Sequence, residues 1–190
     1  MSTIVLLAIL AAMVLWVIGA YNGLIALKNQ VLNAWKQIDV QLKRRHDLIP
    51  NLVNTVKGAM DFERSTLEAV ITARNKAVSA SGVKDTARAE GELTQALGRL
   101  FALTEAYPEL KANQNVLQLQ EELTSTENKV GFARQLYNDV ATQYNTRQAT
   151  FPTLLIAGLA KATPAELWEI EDAAERAVPR VDLSLNKPAP

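Results

Sequence analysis

The sequence predicts an all-α fold: an N-terminal transmembrane helix, then an elongated antiparallel helical bundle whose long first helix is kinked at Pro50. Three observations predict it. Residues 4–20 are apolar apart from one glycine, proline and glycine are scarce between residues 24 and 150, and apolar residues there recur at the helical spacings of three and four. The predicted segments are an anchor at 1–21, the bundle at 22–150, an apolar segment with a short helix at 151–178, and an irregular tail at 179–190.

The apolar N-terminus predicts a membrane anchor. About 20 apolar residues are needed to cross a bilayer, and the first charged side chain is Lys28. A cleaved signal peptide is the alternative, but the basic start is missing and residues 18–20 offer a poor cleavage site. Lysine and arginine occur only on the C-terminal side of the span. We therefore expect the N-terminus to lie outside and the helical domain to lie in the cytoplasm.

Composition excludes several classes of protein. The chain has 20 basic residues (lysine and arginine) and 20 acidic residues (aspartate and glutamate), so its formal net charge is zero. This balance argues against nucleic acid as the main partner. The chain has no cysteine, so disulfides, thiolate metal sites and cysteine nucleophiles are absent. His46 is the single histidine, and Lys43 stands where a Glu-x-x-His pair for a di-iron bundle would need glutamate. No catalytic, metal or cofactor site is predicted.

The first bundle helix is predicted to run from residue 22 to residue 80. Its apolar seam keeps its phase through Pro50, which favours one kinked helix. Proline removes a backbone hydrogen bond, so a hairpin at Pro50 remains the alternative. The seam consists of Val31, Trp35, Ile38, Leu42, Arg45, Ile49, Leu52, Val56 and Ala59.

Further helices are predicted over residues 85–106, from Pro108 to about residue 150, and from Thr163 to residue 177. Gly91 and Gly98 lie seven apart and favour a close helix approach, with tolerated surface glycine as the alternative. Thr163 and Glu166 form a capping box. The third bundle helix has the clearest heptad pattern. Its pairs Tyr137-Asn138 and Tyr144-Asn145 are expected either to form interhelical hydrogen bonds or to contribute simple amphipathic packing. Its seam is Val116, Leu119, Leu123, Thr126, Val130, Ala133, Tyr137, Val140 and Tyr144.

These segments together resemble the LemA family of bacterial membrane proteins. The matching residues are 21–22, 35–45, 47–53, 73–74, 107–113, 117–123, 127–128, 133–134, 137–138, 144–145 and 151–152. The resemblance implies an anchor in the bacterial inner membrane and an antiparallel helical bundle. It does not imply any biochemical activity. Members often look like companions of membrane proteins such as metalloproteases, which implies an adaptor. One departure is Phe62-Glu63, where the family tends to have His-Glu.

Two groups of residues are candidates for function. Arg45 lies on the apolar seam, and a buried charge must be paired, so we expect a structural polar network of Arg44, Arg45, Asp47, Glu127 and Asn128, with Glu63 as a further candidate partner. The alternative is that Arg45 extends to solvent. The apolar segment after Pro152 is expected to cap the bundle, with membrane or subunit contact as alternatives, through Leu154, Leu155, Ile156, Leu159 and Trp168.

The functional prediction is a membrane-anchored scaffold or adaptor that acts through protein–protein contacts. Its expected partners are membrane lipid, further copies of the same chain and another membrane protein such as a metalloprotease. The alternative is a regulatory accessory subunit of such a membrane enzyme.

Overall fold

The fold is described by a computed structural model that covers residues 1–58 and 63–169. All regular elements within these two ranges are helices, as the sequence predicts. They are α1 (Ser2–Lys57), α2 (Arg64–Ser79), α3 (Val83–Ala106), α4 (Pro108–Lys111), α5 (Gln114–Ala149) and α6 (Leu154–Ala157). The predicted tail at 179–190 lies outside the described residues.

The apolar half of α1 forms the candidate membrane span. Its side chains from Ile4 to Ile18 are largely exposed, and α1 is the one described helix long and apolar enough to cross a bilayer. The same helix continues into the bundle, where its first buried residues are Ala20 and Leu24. An exposed apolar surface of this length is suited to contact with lipid.

Helix α1 continues through Pro50 and ends at Lys57, so the prediction of one helix over residues 22–80 is wrong. The chain reverses after Lys57, and α2 packs back against α1. Proline has no N–H to give to the carbonyl four residues earlier, that of His46. Arg74 on α2 donates its Nε hydrogen to this carbonyl at 3.3 Å. The neighbouring helix thus satisfies the acceptor that Pro50 leaves unpaired.

Helix α5 runs antiparallel to α1 and makes the most extensive contact in the fold. Their relative register is fixed by Trp35 and Tyr137, whose rings meet edge to face with centroids 5.5 Å apart. Near the C-terminal end of α1, the pair is joined by helices α2 and α3, which complete a four-helix section. Nearer the span, the returning segment 150–169 takes their place.

The apolar interior therefore has two parts. The distal core joins helices α1 to α5 and includes Ile49, Leu52, Val56, Leu67, Val70, Leu93, Leu97, Leu100, Leu110, Val116 and Leu123. The proximal core joins α1, α5 and the returning segment and includes Leu24, Val31, Ile38, Leu42, Val130, Tyr137, Ala141, Tyr144, Ala157, Ala160 and Trp168.

The two glycines of α3 do not mark a close helix approach. A Cβ added at Gly91 or Gly98 would meet nothing within 4 Å, so this prediction is wrong and both are surface glycines. We expect Gly91→Ala and Gly98→Ala each to raise the free energy of unfolding by about 0.5–1 kcal/mol, because alanine restricts the unfolded chain. Thermal unfolding of each variant measures the change in stability. Gly82→Ala is the control: at φ 82° alanine is strained, and the melting temperature should fall.

Candidate functional site

A buried charge network lies where the distal and proximal cores meet. Arg45 donates from Nη1 to Glu90 Oε2 at 2.8 Å and from Nη2 to Thr94 Oγ1 at 2.9 Å. Its Nη2 also lies 2.7 Å from Glu127 Oε2. His46 Nε2 lies 2.6 Å from Glu90 Oε1, and this nitrogen is the donor when the carboxylate is ionised, because an ionised carboxylate only accepts. Three helices, α1, α3 and α5, are thus joined through one guanidinium.

Burial makes this network decisive for helix register. Arg45 and Glu90 are each 3% exposed, so neither charge could be left alone without a large desolvation cost. The bidentate carboxylate of Glu90 holds adjacent residues of α1, which fixes both the rotation and the height of α3. A cleft of about 380 Å³ beside the network is lined by the charged Arg45, Glu90, Glu127 and Arg134.

The structure brings together only part of the predicted network. Arg45 and Glu127 meet, and Arg45 does not extend to solvent. Arg44 and Asn128 are exposed and lie outside the network. Asp47 is exposed too and pairs with Lys43 at 2.7 Å, whose hydrogen bond holds the pKa of Asp47 below its usual value.

Three further members of the network were missed from sequence, one of which is His46 of α1. Glu63, a suggested partner, is instead the residue preceding α2. Glu90 and Thr94 come from α3. Glu90 carries a detectable signal, since it keeps the spacing of the apolar face of α3 formed by Thr86, Leu93, Leu97 and Leu100. A carboxylate that keeps the spacing of an apolar helix face indicates a buried partner for a cation.

The second arrangement is a ladder of asparagines that holds residues 162–169, here called the strap. Asn145 donates from Nδ2 to the Ala165 carbonyl at 2.8 Å and accepts from the Ala165 N–H at 2.8 Å. Asn138 does the same with Trp168, at 2.9 and 2.8 Å. These bonds go to the strap and not to another helix, so the predicted interhelical role is wrong.

The strap is not helical, so the helix predicted from Thr163 is wrong over its described part. Residues 170–177 lie outside the described residues. Seven residues of α5 rise about 10.5 Å, and three residues of extended chain cover about 10 Å. Asparagines seven apart therefore meet every third strap residue. Tyr137 also donates its hydroxyl to the Glu166 carbonyl at 2.7 Å, and burial raises the pKa of Tyr137, which keeps this proton in place.

The predicted contact surface divides into a buried and an exposed half. Trp168 is 5% exposed, lies 6.0 Å from the Trp35 ring and is covered by Arg134 at 5.6 Å. Ile156 is also buried. Leu154, Leu155 and Leu159 are exposed. Ile156 and Trp168 therefore cap the bundle, and the exposed Leu154, Leu155 and Leu159 remain available for contact.

The third arrangement is an exposed apolar stripe on one side of the α1–α5 pair. It consists of Val40, Phe132 and Leu136 and lines a shallow groove of about 490 Å³. Phe132 is 73% exposed. Polar side chains flank the groove, namely Lys36, Gln37, Gln41 and Lys129. An apolar centre with a polar rim is the usual anatomy of a protein interface.

The family model described as the LemA family matches residues 34–183. The chain belongs to the LemA family. It is 30% identical over 142 residues to protein LemA of Metamycoplasma hominis, covering 74% of this chain and 64% of that protein. It is also 22% identical over 181 residues to the magnetosome proteins MamQ 1 and MamQ 2 of Paramagnetospirillum magneticum, covering 82% of this chain and 66% of each. The chain thus spans slightly less than two thirds of these relatives.

The family match covers all three arrangements of this LemA-family protein and begins at Ala34, after the apolar part of α1. Within residues 1–58 and 63–169, no group of three or more histidine, cysteine, aspartate or glutamate residues is placed to hold a metal ion. The charged side chains at the centre of the LemA bundle instead pair with one another across three helices.

Proposed function

We propose that this LemA-family protein is a membrane-anchored scaffold that acts through protein–protein contacts and first of all through contact with further copies of itself. It has no catalytic role of its own in this proposal. The exposed stripe of Val40, Phe132 and Leu136 carries the proposal. A large aromatic side chain at the centre of an apolar groove is the kind of residue that dominates binding energy at interfaces.

The anchor supports self-association. Copies held by the same kind of span lie in one plane with the same orientation, which raises their effective concentration. The stripe lies along the long axis of the α1–α5 pair, so two upright copies could place their stripes side by side. Lysine stems at the rim, from Lys36 and Lys129, add apolar cover while their ammonium groups stay in water.

We further propose that the bundle lies in the cytoplasm, with α1 anchored in the inner membrane. Lys28 is the first of several basic residues that follow the span, and basic residues favour the cytoplasmic side. Because the chain has no cysteine, a single cysteine at an exposed bundle position can be tested with a membrane-impermeant maleimide. We expect labelling of intact spheroplasts to fail and labelling after permeabilisation to succeed.

The stripe is tested by placing the photo-crosslinking amino acid p-benzoylphenylalanine at Phe132 in the full chain, in native membranes. After irradiation, we expect a cross-linked product whose mass is a multiple of the mass of this chain and which mass spectrometry identifies as containing this chain alone. Phe132→Glu should also reduce the size of the particle in mild detergent, because a charge would be buried at the contact.

Val78 on α2 provides the matched control, since it is 52% exposed and lies away from the stripe. The probe at Val78 and the variant Val78→Glu should give neither product nor change of size. A product containing a different membrane protein would replace self-association with the accessory-subunit alternative. Equal cross-linking at Phe132 and Val78 would contradict any specific role of the stripe.

A further inference from the structure

The end of the bundle next to the span carries a second exposed apolar surface. Helix α6 packs on both α1 and α5, and Ala157 and Ala160 share the proximal core with Leu24. The segment around α6 therefore lies at the height where α1 leaves its exposed apolar run. Ile156 and Ala157 are buried.

The opposite side of the same segment faces outward. It forms what we call the basal patch, which consists of Phe151, Leu154, Leu155 and Leu159. Phe151, Leu155 and Leu159 are 75%, 71% and 74% exposed. Four large exposed apolar side chains on a thirteen-residue stretch without any charge, residues 148–160, form a surface that water alone would not favour.

The length of α1 places this patch at the bilayer boundary. From Ile4 to Tyr21 the helix rises about 26 Å, and the hydrocarbon core of a bilayer is roughly 30 Å thick. The span therefore ends within about a turn of Tyr21 and Leu24. Tyr21 is partly exposed, in keeping with the aromatic residues that anchor helices at the headgroups.

The charges around the patch suit lipid better than a protein partner. Arg147 and Lys161 border the uncharged stretch, and Lys28 is the first charged residue after the span. The nearest acidic residues along this part of the chain are Asp139 and Glu166. Apolar side chains flanked by basic ones match the boundary between acyl chains and anionic headgroups.

We propose that the basal patch inserts into the headgroup–acyl boundary of the bilayer beside α1, as a second lipid contact. The bundle is then held at two places, by its span and by the patch. Two attachment points prevent α1 from tilting freely and keep the bundle standing out from the membrane. The proposal depends on the span and is independent of the stripe around Phe132.

The test uses single-cysteine variants of the full chain, Leu155→Cys and Leu159→Cys, labelled with bimane and placed one copy per nanodisc. The discs contain phosphatidylcholine and phosphatidylglycerol, with or without phosphatidylcholine that carries a nitroxide high on its acyl chain. We expect the nitroxide lipid to quench both probes severalfold more strongly than it quenches a probe at Phe132→Cys. Phe132 is equally exposed, but it lies opposite Val40 of α1. Val40 is about 27 Å further along α1 than Asn22, which lies at the end of the span.

Two results would overturn the proposal. Iodide in the buffer could quench the probes at 155 and 159 as strongly as the probe at 132, which would place the patch in water. The probes could also be shielded from both quenchers, which would mean that protein covers the patch. Because both leucines are exposed, their replacement should leave the helical circular dichroism unchanged, and one copy per disc removes contacts between copies.

Discussion

Replacing Glu90 with alanine is expected to lower the free energy of unfolding by about 3–5 kcal/mol, because the variant leaves a buried guanidinium without its main partner. Arg45 would keep only Thr94 and the partly exposed Glu127, and His46 would lose its acceptor. Chemical denaturation of the full chain in mild detergent, followed by circular dichroism, measures the change.

The control for this variant is Glu92→Ala on the same helix. Glu92 pairs with Lys76 at 2.6 Å, but both side chains are about half exposed. Exposed ion pairs contribute about 0–1 kcal/mol, so the loss should be small. An equal loss from Glu90→Ala and Glu92→Ala would show that burial of the pair has no special weight.

Pairing within the network is tested by removing both charges together. Arg45→Met combined with Glu90→Leu should cost less than the sum of the single changes, since an apolar pair leaves no charge buried alone. Arg45→Ala and Glu127→Ala, singly and together, test the remaining contact in the same way. Strictly additive losses in both cycles would rule out the coupling.

Replacing Asn138 and Asn145 together with alanine is expected to release the strap from α5. The double variant removes four hydrogen bonds to the strap backbone, each worth about 0.5–1.5 kcal/mol. The amides of Ala165 and Trp168 should then exchange with deuterium at least tenfold faster, which a loss of about 1.4 kcal/mol already produces. Trp168 should also become accessible to acrylamide.

Asn128→Ala is the matched control, because Asn128 lies on the same helix but is exposed. It should leave exchange in the strap unchanged. Unchanged protection of Ala165 and Trp168 in the double variant would mean that the packing of Trp168 against Trp35 and Arg134 holds the strap without the asparagines.

The parts of the fold that sequence predicts well are those with long periodic patterns. Helix α3 begins and ends within a few residues of its predicted limits, because Gly82 and Pro108 flank a clear apolar seam. Helix α5 ends as predicted before Pro152, but the prediction of one helix from Pro108 is wrong. That helix stops after Lys111, and α5 begins at Gln114, where the Asn113 side chain caps it. The reversal after Lys57 was not predictable in this way. The seam keeps its phase through Pro50, so nothing in the pattern marks the end of α1 at Lys57. Proline favours a break at residue 50, but the helix continues there because Arg74 satisfies the carbonyl that Pro50 leaves unpaired.

The strap shows a local signal that tertiary contacts override. Thr163, Pro164 and Glu166 form a good helix start, yet the N–H groups of Ala165 and Trp168 receive side-chain acceptors from α5. No pattern within residues 162–169 reveals those acceptors. Glu90 is the converse case, since its position on the apolar face of α3 was visible and only its partner was not.

The asparagine ladder recognises the main chain of the strap, and this has a consequence for how the segment can change. Both asparagines bind N–H and C=O groups, which every residue except proline supplies. Ala165 could therefore be exchanged for most residues without loss of these bonds. Adding or removing a single residue between Ala165 and Trp168 would break the match of three strap residues to seven helix residues. The segment should tolerate substitution far better than any change in length.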